Sequence, residues 1–138
     1  MLDGIFEVHQ GFPELTGFGK RFVNAGNREW AGKMHDDLLD AVGWAVRQGV
    51  ALPERICITG GSYGGYATLV GLTFTPTVFA CGVAIAGPSK PTPVLNPTPP
   101  DWQPGLAQLT PRAAAHSTDE GQRVLASRAP LTRVGPSR

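Results

Sequence analysis

The feature that most constrains this chain is a junction. The β-branched run Ile56-Cys57-Ile58-Thr59 stops at Gly60-Gly61-Ser62-Tyr63-Gly64-Gly65, and a helical pattern follows at once, with Tyr66, Leu69, Val70 and Thr73 at helical spacing. A short apolar run without alternation predicts a strand covered on both faces. The glycines permit a turn too tight for side chains. The same alternation continues on either side. Trp30, Met34, Leu38, Val42 and Val46 recur every fourth residue, with Ala41 and Ala45 widening the stripe. They predict a helix over 27–48, with His35, Asp36, Asp37 and Asp40 on its other faces and Gly49 as a left-handed cap. The helix after the glycines is expected over Tyr63 to Leu72, stopped by Thr75-Pro76, and Phe79 to Ala86 reads as a second buried strand around Cys81-Gly82-Val83-Ala84-Ile85. With a short early strand at Ile5 to Val8, this order predicts an α/β fold: a mostly parallel sheet with crossover helices.

The character changes after Gly87. Pro88, Pro91, Pro93, Pro97, Pro99, Pro100 and Pro104 exclude a regular helix or central strand and predict an extended loop over 88–112. A weak helix is expected between Asp119 and Arg128, inside a weakly structured C-terminal segment, 113–138. A formal net charge of +1 with interspersed acids and bases excludes a nucleic acid or an anionic membrane surface as the expected partner. Cys57 and Cys81 lack zinc-type spacing and sit among small apolar residues, so buried free thiols and no metal are expected. The opening Met1-Leu2-Asp3 lacks the apolar core of a signal peptide, and no run is long enough to span a bilayer, which predicts a cytoplasmic protein.

Gly60-Gly61-Ser62-Tyr63-Gly64 fits Gly-x-Ser-x-Gly, the pattern of a nucleophile elbow. There a serine occupies a strained turn between strand and helix, which lifts its hydroxyl clear of the sheet. The flanking glycines, here Gly60, Gly61, Gly64 and Gly65, keep side chains out of the way. Backbone N–H groups at the start of the helix face the reaction, so the N–H of Tyr63 is a candidate oxyanion donor, aided by the helix dipole. The alternative is a glycine-rich turn that binds a phosphate or only reverses the chain.

The base and acid are harder to place. Of the three histidines, His35 lies inside a predicted helix as a surface or hinge hydrogen-bonding residue, and His9 lies in an N-terminal loop. His116 follows Asp101, so Ser62, Asp101 and His116 stand in a known triad order. Asp101 sits in the Pro-rich loop and His116 after three alanines, however, without strand-end context, and exposed loop residues are the better reading. Trp102 is a candidate aromatic for a substrate pocket, with plain packing as the alternative. Tyr66, one turn beyond the serine, is expected to fill the core beneath it.

The segment Gly60-Gly61-Ser62-Tyr63-Gly64-Gly65-Tyr66 is similar to the elbow of the prolyl oligopeptidase family, especially its acylaminoacyl-peptidase and dipeptidyl-peptidase-like members. Thr16-Gly17-Phe18-Gly19-Lys20-Arg21-Phe22 resembles that family's loop after an early core strand, and Trp30 to Leu38 resembles the helix before the nucleophile strand. Pro53 to Ile58 resembles the approach to the elbow, and Gly87-Pro88-Ser89 and Ser127 to Val134 resemble later segments. The resemblance implies an α/β-hydrolase catalytic domain, a peptide substrate, an acyl-enzyme on Ser62, and neither metal nor organic cofactor.

It also implies that residues 1–138 form part of such a domain, with its core at 16–89 and no β-propeller. The triad acid and base are then expected downstream of this segment. The expected activity is that of a serine-type peptidase, weak or absent in the 138 residues by themselves. A carboxylesterase or lipase on the same fold, and a non-catalytic truncated product, are the alternatives. The oligomeric state is not legible in the sequence.

Overall fold

The computed structural model describes residues 19–90 and 118–134. Within them the chain runs through helix α1 (Lys20–Ala25), helix α2 (Lys33–Arg47), a 3-10 turn (Pro53–Arg55), strand β1 (Cys57–Gly61), helix α3 (Tyr63–Phe74) and strand β2 (Cys81–Ile85). Helix α4 (Asp119–Ser127) and a 3-10 turn (Pro130–Arg133) follow.

The predicted junction forms where expected, and β1 extends through both glycines. β1 and β2 pair in parallel as a two-stranded sheet, with register running from Cys57↔Cys81 to Gly61↔Ile85. α3 crosses between them and packs against both strands. It is closed by Thr75, whose N–H and hydroxyl both donate to the Gly71 carbonyl.

Helix α2 is shorter at its start than its apolar stripe predicts. Arg28 and Ala31 adopt φ of 63° and 49°, which breaks the helix before Lys33. Its far end matches the expectation. Gly49 has φ 68°, its N–H donates to Val46, and the Val50 N–H donates to Ala45, a complete Schellman motif. α1 occupies residues read as family loop and was not expected.

The core lies between α2, α3 and α4. Trp30, Met34, Tyr66, Val70 and Leu125 form one buried cluster. Trp30, Tyr63 and Tyr66 stack as a tilted trio with ring centroids 4.8 to 5.7 Å apart.

Three expectations need correction. Residues 118–134 are not weakly structured: Leu125, Ala129 and Pro130 are buried. Thr118 caps α4 by accepting from the Gly121 N–H at 3.0 Å, and Asp119 and Glu120 suit the positive end of the helix. The segment is held by tertiary contacts: the Tyr66 hydroxyl donates to the Arg128 carbonyl at 2.8 Å, the Arg128 guanidinium donates to the Arg28 carbonyl, and the Leu131 N–H donates to Ser89.

The strands, second, are not covered on both faces among the described residues. Ile58 and Gly82 face α3, whereas Val83 and Ile85 are 58% and 61% exposed. Third, Cys57 and Cys81 are not buried free thiols. Both residues are exposed, and their sulfurs are joined in a disulfide.

No helix among the described residues is long and apolar enough to cross a membrane. The expected strand at Ile5 to Val8, most of the Pro-rich loop with Asp101 and Trp102, and His9 and His116 lie outside the described residues.

Candidate active site

Ser62 occupies the turn between β1 and α3 with φ 54° and ψ −115°, a region that residues with a Cβ rarely adopt. Two backbone bonds impose it. The Ser62 N–H donates to the Ile85 carbonyl at 2.9 Å, tying the turn to the end of β2. The Ser62 carbonyl accepts from the Tyr66 N–H at 3.1 Å, starting α3. The residue is exposed, and its hydroxyl makes no capping bond to the helix.

Of the four elbow glycines, two are required sterically. A Cβ on Gly60 would lie 2.7 Å from the Gly64 Cα. One on Gly65 would lie 2.8 Å from the Gly87 N and the Ile85 carbonyl oxygen, and a Cβ on Gly87 would strike Gly65 in turn. This mutual approach brings the end of β2 against the first turn of α3. Gly64 has open space and Gly61 only an ordinary contact 4.0 Å away, so the expected crowding does not extend to them.

Tyr63 is the first residue of α3, so its N–H belongs to the helix N terminus, where partial positive charge collects. Its ring stacks on Trp30, and its hydroxyl reaches the Met34 sulfur at 3.6 Å. Tyr66 is fully buried under the turn, and burial pushes its phenol well above the ordinary value. That keeps it a neutral hydrogen-bond donor to Arg128.

His35 is buried, not at the surface. Its Nε2 lies 3.2 Å from the Thr75 Oγ1, at the end of α3 opposite to Ser62. Because the Thr75 hydroxyl donates to Gly71, it accepts from His35, which assigns the neutral Nε2–H tautomer. Nδ1 is then a bare lone pair, buried and unpartnered. Burial lowers the pKa from the usual 6.5, against the opposing charge of Asp36. The twelve residues of α3 place Thr75 roughly 18 Å along the helix axis from the serine, so His35 is not positioned as its base.

Sequence reasoning missed the His35–Thr75 pair, the Gly65–Gly87 approach and the disulfide. A signal existed for the disulfide alone: each cysteine falls near the start of one of the two strands that the sequence places in a parallel sheet. No group of three or more metal-ligating side chains occurs among the described residues.

The model of the prolyl oligopeptidase family matches residues 15–96, which include both strands, α2, α3 and the serine turn. The chain belongs to the prolyl oligopeptidase family. It is 60% identical over 123 residues to dipeptidyl aminopeptidase BIII of Pseudoxanthomonas mexicana, covering 89% of this chain and 18% of that protein. It is 52% identical over 129 residues to dipeptidyl peptidase family member 6 of Caenorhabditis elegans, covering 93% of this chain and 17% of that one. Dipeptidyl peptidase 4 of Bos taurus is 36% identical over 72 residues, or 52% of this chain and 9% of its own. The chain thus spans under a fifth of the length of the curated relatives it matches. An α/β-hydrolase fold goes with the family, and the helices and small parallel sheet are consistent with part of one.

Proposed function

We propose that this chain carries the nucleophile segment of a serine-type peptidase, with Ser62 as nucleophile and the Tyr63 N–H as one oxyanion donor. One observation carries the reading: Ser62 is exposed, in a strained left-handed turn, at the point where β1 gives way to the N terminus of α3. In that role the Ser62 Oγ attacks the scissile carbonyl carbon while its proton passes to a base. The tetrahedral oxyanion is held by the Tyr63 N–H and the α3 dipole, the amine leaves protonated, and water hydrolyses the acyl-enzyme. The chemistry calls for neither a metal nor an organic cofactor.

The base and acid are assigned to sequence outside these 138 residues. The 138 residues are read as part of one α/β-hydrolase catalytic domain with its core at 16–89, and Trp102 as a pocket aromatic. The names of the Pseudoxanthomonas mexicana and Caenorhabditis elegans relatives favour release of dipeptides as the reaction. The cytoplasm expected from the sequence belongs to the same proposal.

A chimera tests the assignment. Residues 16–89 replace the matching segment of the Pseudoxanthomonas mexicana relative, and dipeptidyl-anilide and p-nitrophenyl ester hydrolysis are measured. The chimera is expected to cleave the anilide and to lose about four to six powers of ten in turnover on Ser62→Ala. A folded chimera without activity, or one indifferent to Ser62→Ala, overturns the reading, and ester turnover alone would turn it toward an esterase. The 138 residues alone are expected to show no efficient turnover.

A further inference from the structure

We propose that Trp30 is a positioning residue for the oxyanion site: delivered by a strained turn, it holds both tyrosines that aim the Ser62–Tyr63 peptide, and through them the Tyr63 N–H. The inference rests on the reading of Ser62 and Tyr63 above and deepens it.

The peptide unit concerned carries the Ser62 carbonyl and the Tyr63 amide. A trans peptide is planar, with its C=O and N–H pointing to opposite sides. Whatever fixes the carbonyl therefore aims the N–H. The Ser62 carbonyl accepts from the Tyr66 N–H at 3.1 Å. Tyr66 thus orients the plane, and the Tyr63 Cα ends it.

Trp30 stacks on the rings of both tyrosines. Its ring centroid lies 4.8 Å from that of Tyr63 and 5.5 Å from that of Tyr66. Each tyrosine is pinned a second time by its hydroxyl, Tyr63 on the Met34 sulfur and Tyr66 on the Arg128 carbonyl. Trp30 and Tyr66 are buried among residues of this chain, so these contacts do not depend on what lies over the outer face of the sheet. A cavity in place of the indole would let the two rings shift, and a displacement of about 1 Å at a reacting site can cost two powers of ten in rate.

The backbone around Trp30 marks it as more than core filling. Arg28 and Ala31 flank it with φ of 63° and 49°. Neither is a glycine, and such strain persists only where the surroundings impose it. Here they do. The Glu29 N–H donates to the Gly26 carbonyl at 3.1 Å, the Gly32 N–H donates to the Glu29 carbonyl at 2.9 Å, and the Glu29 carboxylate accepts from the Lys33 N–H at 3.1 Å. The Arg128 guanidinium donates to the Arg28 carbonyl. Arg128 therefore grips the Trp30 turn with its side chain and Tyr66 with its carbonyl. A helix begun at Asn27 would bury a tryptophan with no left-handed residue. The strained turn instead brings the indole against the first turn of α3.

The test uses the chimera described above, extended to carry residues 16–134 so that Arg128 accompanies Trp30, with the variants Trp30→Leu and Trp30→Phe. Dipeptidyl-anilide turnover is expressed per active serine titrated with a fluorophosphonate, which removes any loss of folded protein. Inhibition by a dipeptide boronate is measured on each, because its tetrahedral adduct on the serine places an oxygen where the oxyanion forms. Trp30→Leu is expected to lower kcat by about a hundredfold with KM changed by no more than about twofold, since an oxyanion donor is worth two to three powers of ten. Trp30→Phe keeps an aromatic face and is expected to lower kcat only about three- to tenfold. Boronate affinity is expected to fall in proportion to kcat/KM, while inhibition by the product dipeptide stays within about twofold of the parent.

If Trp30→Leu does not fold, Trp30→Phe decides by the same proportionality. A kcat per active serine within about twofold of the parent in every folded variant would overturn the role of Trp30, as would a fall in kcat with boronate affinity unchanged. Either result leaves the Ser62 assignment standing. An inactive parent chimera overturns that assignment, and the role of Trp30 with it.

Discussion

The two faces of the β1–β2 ladder are built to opposite rules. On the inner face Ile58, Gly60 and Gly82 meet α3 so closely that a methyl group at either glycine would collide. On the outer face the pairs Thr59↔Val83 and Gly61↔Ile85 stand open, with Val83 and Ile85 more than half exposed. Close approach on one side is what aims the serine turn. Apolar exposure on the other marks a surface suited to cover, because parallel sheets are stable when both faces are shielded. The contrast shows that the precision of this segment is local to the helix side.

Substitutions can break that contrast. The largest effect is expected for Gly60→Ala, whose new methyl would meet Gly64 backbone that cannot swing aside. A loss of about 3 kcal/mol or more is expected in urea denaturation, enough to unfold a marginal chain. Tyr66→Phe comes next. It keeps the ring stack but strands the part-buried Arg128 carbonyl, and should cost about 1–2 kcal/mol, with residues 118–134 becoming more protease-sensitive than 57–85.

Acidification sharpens the comparison further. His35 is held neutral when folded, with its pKa lowered from 6.5 by burial. Below that value the unfolded chain binds the extra proton more readily, so the stability present above pH 6.5 is lost as pH falls through the lowered folded value. The denaturation midpoint should drop between pH 7 and pH 5, and His35→Gln should flatten that slope. The smallest effect is expected on the outer face. Val83→Thr should shift stability by no more than about 0.5 kcal/mol while raising the concentration at which the chain aggregates, read by light scattering.

The junction was legible because its signals are local. Ile56 to Thr59 declares a strand, the glycines a turn, and Tyr66, Leu69 and Val70 a helix, all within a few residues of one another. The Schellman end of α2 at Gly49 was legible for the same reason. What depends on distant partners was not. α4 looked weak because its strength comes from Leu125 entering a core made by Trp30 and Met34, and from a carbonyl that meets a tyrosine 62 residues away. His35 sits beside two aspartates and reads as surface until Thr75 is folded onto it. The cysteines read as buried thiols because their neighbours are apolar, yet strand alternation turns both toward the open side. At the site, the serine and its setting came from pattern, while the division of labour among the glycines needed the backbone of Gly64 and Gly87.

The backbone angles of Ser62 carry an economy of their own. Glycine would sit in that conformation at ease, so Ser62→Gly would relax the fold even as it removed the hydroxyl. A residue that its own chain would tolerate better without a side chain carries a conformational cost, and the proposed nucleophile role would account for that cost.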